Sequence, residues 1–257
     1  MQDQQYRPDP WGEPADPRPG EAARFRLSDV VGLRALAGMP DLDSIQTSSG
    51  QPDLFGVYLR AGPCVLLRVG HTPQRVWYGP ARPDLVSLVL PLSWEGQLAF
   101  NGQAPGRTTV YCFPGGQGFI GYARDCELLQ VYLPAAPMFE RLAPPGGGGA
   151  VLLPQPVADR LRRGLVGLLE GAAAEPWALE DPQAAGRAVR AIQALVLAAL
   201  AKAQGGGEGG GERSFQLTRV VRRAEEHFMA AGERWVSMAD LCGGVRVSAY
   251  TLRHAFR

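Results

Sequence analysis

The sequence has few histidines and cysteines, and nothing in their spacing suggests that they hold a metal. Its three histidines, His71, His227 and His254, lie far apart, and its four cysteines include no Cys-x-x-Cys pair. A metal-dependent barrel enzyme needs about three protein ligands, usually including a histidine pair. No Ser/His/Asp or Cys/His constellation is visible either. The sequence therefore predicts no metal site, no cofactor and no enzyme activity.

Long hydrophobic runs are also missing. The longest apolar stretch, residues 189–201, is interrupted by Arg190 and Gln193, and a membrane-spanning helix needs about 20 predominantly apolar residues. The N-terminus is acidic and rich in proline, without the apolar core of a signal peptide. We therefore expect a cytoplasmic protein that has no membrane partner.

Lysine is nearly absent, since Lys202 is the only one and the other basic residues are arginines. Alanine, glycine and proline are abundant as well, so the arginine content reflects genomic base composition and is weak support for nucleic-acid binding. Position is more informative. Residues 214–257 carry seven arginines against four acidic residues, a net charge of +3, whereas residues 1–23 carry a net charge of −3. The C-terminal end is therefore the candidate for a polyanionic partner.

The order of composition along the chain predicts an α+β fold in several parts. Residues 1–23 contain five prolines among polar residues and are expected to form a disordered tail. Residues 24–135 alternate short apolar runs with turn residues, and Asn101-Gly102 is a hairpin-turn signal, which favours an antiparallel β-barrel or sandwich acting as a sensor domain. The strands are predicted at residues 54–59, 63–69, 75–78, 85–90, 97–100, 108–113 and 127–133.

Residues 136–204 are predicted to be helical and form a candidate dimerisation segment. Helices are expected from Met138 to a breaker at residues 144–149, and over 157–169 and 182–203. The last helix has an apolar face, and two interpretations of its role remain open. The face packs against the barrel, or it pairs with a second copy of the chain. That face consists of Val189, Ile192, Val196 and Ala199. Residues 205–213 form a glycine-rich linker.

Residues 214–257 show the spacing of three short helices. The first carries one apolar face, made of Leu217, Val220, Val221, Ala224 and Phe228. A capping box from Ser237 to Asp240 opens the second helix, whose buried residues are expected to be Met238, Leu241 and Val245.

The third helix is predicted to begin after Ser248, whose hydroxyl can cap it. Leu252 and Phe256 lie four residues apart and are expected to face inward. A polar and basic stripe occupies the opposite face, made of Tyr250, Arg253, His254 and Arg257. A helix held by its apolar face, with donors on the other, is what reading the major groove requires.

The segment VSMADLCGGVRVSAYTLRHAFR, residues 236–257, resembles the first helix-turn-helix of the AraC/XylS family of bacterial regulators, especially its ethanolamine-regulator-like members. The resemblance covers residues 217–257 and rests on the spacing of Ser237, Leu241, Val247, Ser248, Leu252 and Phe256. It implies an N-terminal cupin-like domain for effector binding or dimerisation. We expect double-stranded DNA to contact Ala249, Tyr250, Thr251, Arg253, His254 and Arg257.

Two departures from the family pattern are visible. The turn position that the family often fills with glycine is Arg246, while Gly243 and Gly244 lie inside the second helix, where each costs about 1 kcal/mol relative to alanine. The family also carries a second helix-turn-helix, and this sequence ends at Arg257, so half of the DNA-binding domain is expected to be missing.

The leading hypothesis is a transcription regulator in which a small molecule or a partner binds the barrel and alters how the basic C-terminal unit meets DNA. The alternative is a truncated interaction module that pairs with full-length relatives without binding DNA tightly. Four aromatic residues of the barrel could line an effector cavity, although filling the core is the favoured interpretation. They are Trp77, Tyr78, Trp94 and Phe100.

Overall fold

The protein has a mixed α+β fold with a large antiparallel sheet, which confirms that part of the predicted fold class. In the described part of the chain, strands occupy the N-terminal half and helices follow them. The computed structural model describes residues 20–28, 32–33, 43–72, 75–80, 84–95, 97–115, 118–135, 149–203, 220, 223–224, 227–228, 230 and 236–255.

Two antiparallel sheets form the N-terminal part of the described chain. The larger has the strand order β1-β3-β4-β10-β6-β8-β11, and the smaller has the order β2-β5-β9-β7. The strands are β1 (Glu21–Leu27), β2 (Asp43–Gln46), β3 (Asp53–Ala61), β4 (Cys64–Thr72), β5 (Arg75–Pro80), β6 (Leu85–Trp94), β7 (Leu98–Phe100), β8 (Thr109–Phe113), β9 (Gly118–Ala123), β10 (Cys126–Pro134) and β11 (Gly149–Leu152).

The seven predicted strands correspond to β3 to β8 and β10, while β1, β2, β9 and β11 were not predicted. β1 begins at Glu21, inside the last residues of the predicted tail, because Ala22 is buried and the strand pairs with β3. β11 pairs with β8, so the sheet extends beyond residue 135, where the sequence predicts the β-rich domain to end. Residues 1–19 of the tail lie outside the described residues.

The Asn101-Gly102 turn is confirmed. Asn101 has φ 48° and Gly102 has φ 74°, the pair of positive values that a tight hairpin turn requires. The amides of Phe100 and Gln103 donate to each other's carbonyls at 3.1 and 2.9 Å. The Asn101 side chain also accepts a hydrogen bond from the Ile120 amide at 2.8 Å, so this turn is tied to β9.

Three helical elements follow the sheets. They are α1 (Gln155–Ala174), a 3₁₀ helix (Pro176–Glu180) and α2 (Pro182–Leu200). The Asp181 carboxylate accepts hydrogen bonds from the amides of Gln183 and Ala184 and caps α2. The helix predicted at Met138 and the linker 205–213 lie outside the described residues. No helix in the described part of the chain is long and apolar enough to cross a bilayer.

The large sheet separates two hydrophobic cores because consecutive residues of a strand point to opposite faces. On β4, Leu66 belongs to the core shared with α1 and α2, whereas Val65 and Leu67 belong to the core between the two sheets. The predicted apolar face of α2 packs in the first of these cores, where Ile192 and Val196 are fully buried. Of the two interpretations of that face, the structure supports packing against the barrel.

An ion-pair network joins the sheet to α1. The Arg68 guanidinium on β4 lies 2.7 Å from the Glu127 carboxylate on β10 and 3.1 Å from the Glu170 carboxylate on α1. Arg24 of β1 also pairs with Glu170 at 2.5 Å. The network therefore connects three strands of the large sheet to one helix.

Candidate nucleic-acid interface and barrel cavity

The C-terminal part of the described chain contains two short helices, α3 (Met238–Val245) and α4 (Ala249–Ala255), and they are preceded by a segment whose described residues, 220, 223–224, 227–228 and 230, are helical. The predicted capping box of α3 is confirmed. The Ser237 hydroxyl accepts a hydrogen bond from the Asp240 amide at 3.2 Å, and the Asp240 carboxylate accepts one from the Ser237 amide at 2.9 Å. The Ser248 hydroxyl accepts a hydrogen bond from the Thr251 amide at 3.1 Å, so each helix begins at a capped residue, as predicted.

The turn between the two helices is made by Arg246 in a left-handed conformation. Its φ of 57° and ψ of 47° end α3, and the Val247 amide donates to the Cys242 carbonyl at 3.1 Å. A residue with a Cβ pays about 1–2 kcal/mol for this conformation, whereas glycine adopts it freely. This geometry explains physically why a glycine suits the position that Arg246 occupies.

A small apolar cluster holds α3 and α4 together with residues of the segment before them. Ala224, Val245 and Leu252 are buried in it. Two predicted burials were wrong, since Met238 is 44% exposed and Phe228 is 56% exposed. Met238 is the first residue of α3, one turn away from the residues that reach the cluster. The remaining predicted core residue of α4, Phe256, lies outside the described residues.

The predicted DNA-contacting residues divide into three groups. Tyr250 is 80% exposed, Ala249 and Arg253 are exposed, and Thr251 is half-buried. His254 belongs to α4 by its backbone, and Arg257 lies outside the described residues. Tyr250 and Arg253 lie three residues apart, so they are neighbours on the helix surface, while Leu252 faces the apolar cluster. α4 therefore presents an aromatic hydroxyl and a guanidinium to solvent.

A small cavity lies in the core between the two sheets. Its volume is about 20 Å³, room for about one water and far below the roughly 300–1,000 Å³ of a typical ligand pocket. Trp77 and Phe100 are buried and line it, in agreement with the expectation that the barrel aromatics fill the core. The wall consists of Leu33, Val69, His71, Trp77, Ser87, Val89, Phe100, Phe113, Phe119, Leu128, Gln130 and Tyr132.

The cavity wall carries polar groups that the sequence analysis missed. The Nε1 atom of Trp77 and the Oγ atom of Ser87 are buried, and no described residue forms a hydrogen bond with either atom. His71 Nε2 lies 3.0 Å from Cys126 Sγ, and burial raises the pKa of that thiol to about 12, so the sulfur stays protonated at neutral pH. The Tyr132 hydroxyl donates to Gln130 Oε1 at 2.6 Å.

Of these polar residues, only Ser87 could have been noticed from the sequence alone. Ser87 is a single hydroxyl inside the apolar run of β6, which is unusual enough to be noticed. The contact between His71 and Cys126 joins residues 55 positions apart, and no local pattern predicts it. Among the described residues, no group of three histidines, cysteines or carboxylates is placed to hold a metal ion.

Comparison with solved structures shows what this fold is similar to. The chain is similar to the crystal structure of the AraC-like transcriptional activator CuxR, with a TM-score of 0.50 and 15% sequence identity, over 91% of this chain and 88% of that chain. At this identity the likeness shows an AraC-like fold alone. No protein-family model matches the sequence, and a comparison with curated proteins finds no match.

Proposed function

We propose that this protein is a transcription regulator that binds double-stranded DNA through α3 and α4 and senses a small-molecule effector in its barrel. The single observation that carries the proposal is the arrangement of α4. Leu252 fixes the helix to a small core, and Tyr250 and Arg253 face solvent on neighbouring positions. An exposed arginine at such a position can donate two hydrogen bonds to guanine in the major groove.

The charge around the two helices supports the same function. Arg223, Arg246 and Arg253 are exposed, and the Asp240 carboxylate is engaged in the capping box of α3. Positive side chains near a candidate recognition helix attract the DNA backbone and orient the protein on it. Ala249, Thr251, His254 and Arg257 complete the proposed contact surface.

The AraC-like fold supports a regulatory function in preference to a catalytic one, because the similar structure, CuxR, is described as a transcriptional activator. The barrel supports effector sensing because two residues of its cavity wall, Trp77 and Ser87, carry buried polar atoms for which the described part of the chain offers no partner. A homodimer is part of the proposal, since two copies would place two α4 helices on one DNA duplex. The apolar face of α2 is already buried within the chain, so the dimer would use another surface.

The test is selection of a preferred DNA sequence by the full chain from a random duplex pool, followed by anisotropy titration. We expect the selected duplex to bind more tightly than a scrambled one. The double variant Tyr250→Ala/Arg253→Ala should lose that preference. Arg160 and Arg190 are exposed arginines on α1 and α2, so Arg160→Ala/Arg190→Ala serves as the matched control and should keep it. Failure to enrich any sequence would contradict the proposal.

A further inference from the structure

Arg75, the first residue of β5, is a buried arginine that has no acidic partner among the described residues. Only 3% of its surface is exposed. Its two terminal nitrogens donate to Ser44 Oγ and Gln46 Oε1, both at 3.3 Å, and its Nε has no acceptor. In the described part of the chain, no carboxylate forms an ion pair with it. Burial lowers the pKa of this guanidinium, but arginine remains charged in proteins.

A buried charge with only neutral partners is unfavourable for folding. Burying an ion costs several kcal/mol unless an opposite charge and hydrogen bonds compensate for the lost water. Ser44 and Gln46 supply long hydrogen bonds and no negative charge. Such a group is therefore better explained by an anion that is present when the protein works than by the stability of the empty barrel.

Arg75 is not part of the wall of the cavity between the two sheets, but it is adjacent to a residue that is. Arg75 and Trp77 are two residues apart on β5 and share one face of the strand, and the Arg75 guanidinium carbon lies 6.0 Å from the centre of the Trp77 ring. Trp77 lines the cavity together with Ser87. Trp77 Nε1 and Ser87 Oγ, which have no hydrogen-bond partner in the described part of the chain, can both donate hydrogen bonds from the cavity wall.

The hydrogen-bonding groups of Arg75, Trp77 and Ser87 determine which class of ligand would fit. Nε of Arg75 and Nε1 of Trp77 only donate hydrogen bonds, so the ligand group must accept them. A carboxylate accepts at two oxygens and carries one negative charge, which matches the single charge of Arg75. The remaining wall is largely apolar or aromatic, as Val69, Phe113 and Phe119 show, so the body of the ligand should be apolar.

We propose that Arg75, Trp77 and Ser87 recognise the carboxylate of a small apolar monocarboxylic acid. The acid would be the effector of the proposed transcription regulator, so its role as an effector rests on that proposed function. Because the cavity of about 20 Å³ is smaller than such an acid, binding of the acid moves the surrounding side chains outward.

The first experiment measures binding of three acids by the full chain with calorimetry and thermal denaturation. The probes are acetate, isovalerate and phenylacetate, each compared with its neutral amide and with sodium chloride at equal ionic strength. We expect at least one acid to bind at least about ten-fold more tightly than its amide, since the amide lacks the charge that Arg75 needs. Equal binding of every acid and amide, or binding of none, would overturn the proposal.

The second experiment uses variants of the recognising residues. Arg75→Met should abolish the preference for the acid and leave the unliganded chain at least as stable as the wild type, because it removes an uncompensated charge. Trp77→Phe keeps an aromatic side chain, although a smaller one, and removes the Nε1 donor. Combined with Ser87→Ala it should weaken binding of the acid about ten-fold. Arg124 is an exposed arginine, and Arg124→Met is the control that should change nothing.

The result for Arg75→Met separates a binding role from a structural one. A variant that is destabilised and still prefers the acid would show that Arg75 supports the fold, and the proposal would fail. DNA titrations with and without the acid then separate the two proposals. Binding of the acid without a change in DNA affinity would uphold the ligand and refute its effector role. A selected DNA sequence without any acid preference would refute the ligand alone.

Discussion

Gly244 of α3 lies directly against His227, so that a Cβ at position 244 would stand 2.6 Å from the His227 Nδ1 atom. A Cβ at the neighbouring Gly243 would meet nothing within 4 Å. The two glycines of this helix therefore differ in their reason for being there. Gly244 permits the preceding helical segment to approach α3, whereas Gly243 only lowers the stability of the helix.

This difference gives the first prediction. Gly243→Ala should raise the free energy of unfolding of the C-terminal unit by about 0.5–1 kcal/mol, because alanine has the higher helix propensity. Gly244→Ala should lower it, because His227 must move. Denaturation followed by helical circular dichroism measures both, and the two variants control each other. Equal effects of the two substitutions would show that His227 does not pack there.

The second prediction concerns the left-handed turn. Arg246→Gly should stabilise the C-terminal unit by about 1 kcal/mol, since glycine adopts φ 57° without steric strain. Arg246→Ala removes the same side chain and keeps the strain, so it should give no such gain. Urea denaturation of both variants checks this. A stabilising effect of the alanine variant would instead point to the removed charge.

The third prediction concerns base recognition. Arg253→Ala should reduce the ratio of affinities for the selected and scrambled duplexes by an amount corresponding to about 1–3 kcal/mol, the contribution of an arginine that bonds guanine at two atoms. Anisotropy titrations at one salt concentration measure the ratio. Arg223→Ala should weaken binding to both duplexes alike, because phosphate contacts carry no sequence information. An unchanged ratio for Arg253→Ala would exclude it from reading bases.

The fourth prediction concerns pH. Burial raises the pKa of the Cys112 thiol from 9.0 to about 12, so the folded state binds the proton more tightly than the unfolded state. The contribution of the protonated Cys112 thiol to the free energy of unfolding is fully present below about pH 9. As the pH rises towards about 12 this contribution is lost, by roughly 1.4 kcal/mol per pH unit. The unfolding free energy of Cys112→Ala should therefore fall less steeply above about pH 9 than that of the wild type. Identical slopes would indicate that the thiol is not buried.

Much of the sheet could be predicted because β3 to β8 and β10 are short apolar runs between turn residues. β1 was missed because it directly follows a proline-rich segment, although residues 24–27 alternate charged and apolar side chains as a half-buried strand does. β9 was missed because it contains glycine, and Gly121 is required there since a Cβ would lie 2.4 Å from the Phe100 ring. Packing between distant strands creates that requirement, and no local pattern reveals it.

The candidate DNA-binding helices were predicted more fully than the cavity. The capping serines Ser237 and Ser248 act on amides three residues away, so their roles can be derived from spacing alone. The cavity residues depend on sheet topology. Arg75 meets Ser44 through strand pairing between β2 and β5, and Trp77 and Ser87 line one cavity although they belong to different sheets.

Arg68 has a mechanical consequence, because its guanidinium connects β4 and β10 to Glu170 on α1. Both strands also supply the cavity wall, through Val69 on β4 and Leu128 on β10. A side chain displaced outward from the cavity pushes on the same strands that hold this guanidinium. Under the proposed effector function, enlargement of the barrel interior would move Arg68 and with it the Glu170 carboxylate, so α1 is the helix whose position is expected to change when the acid binds.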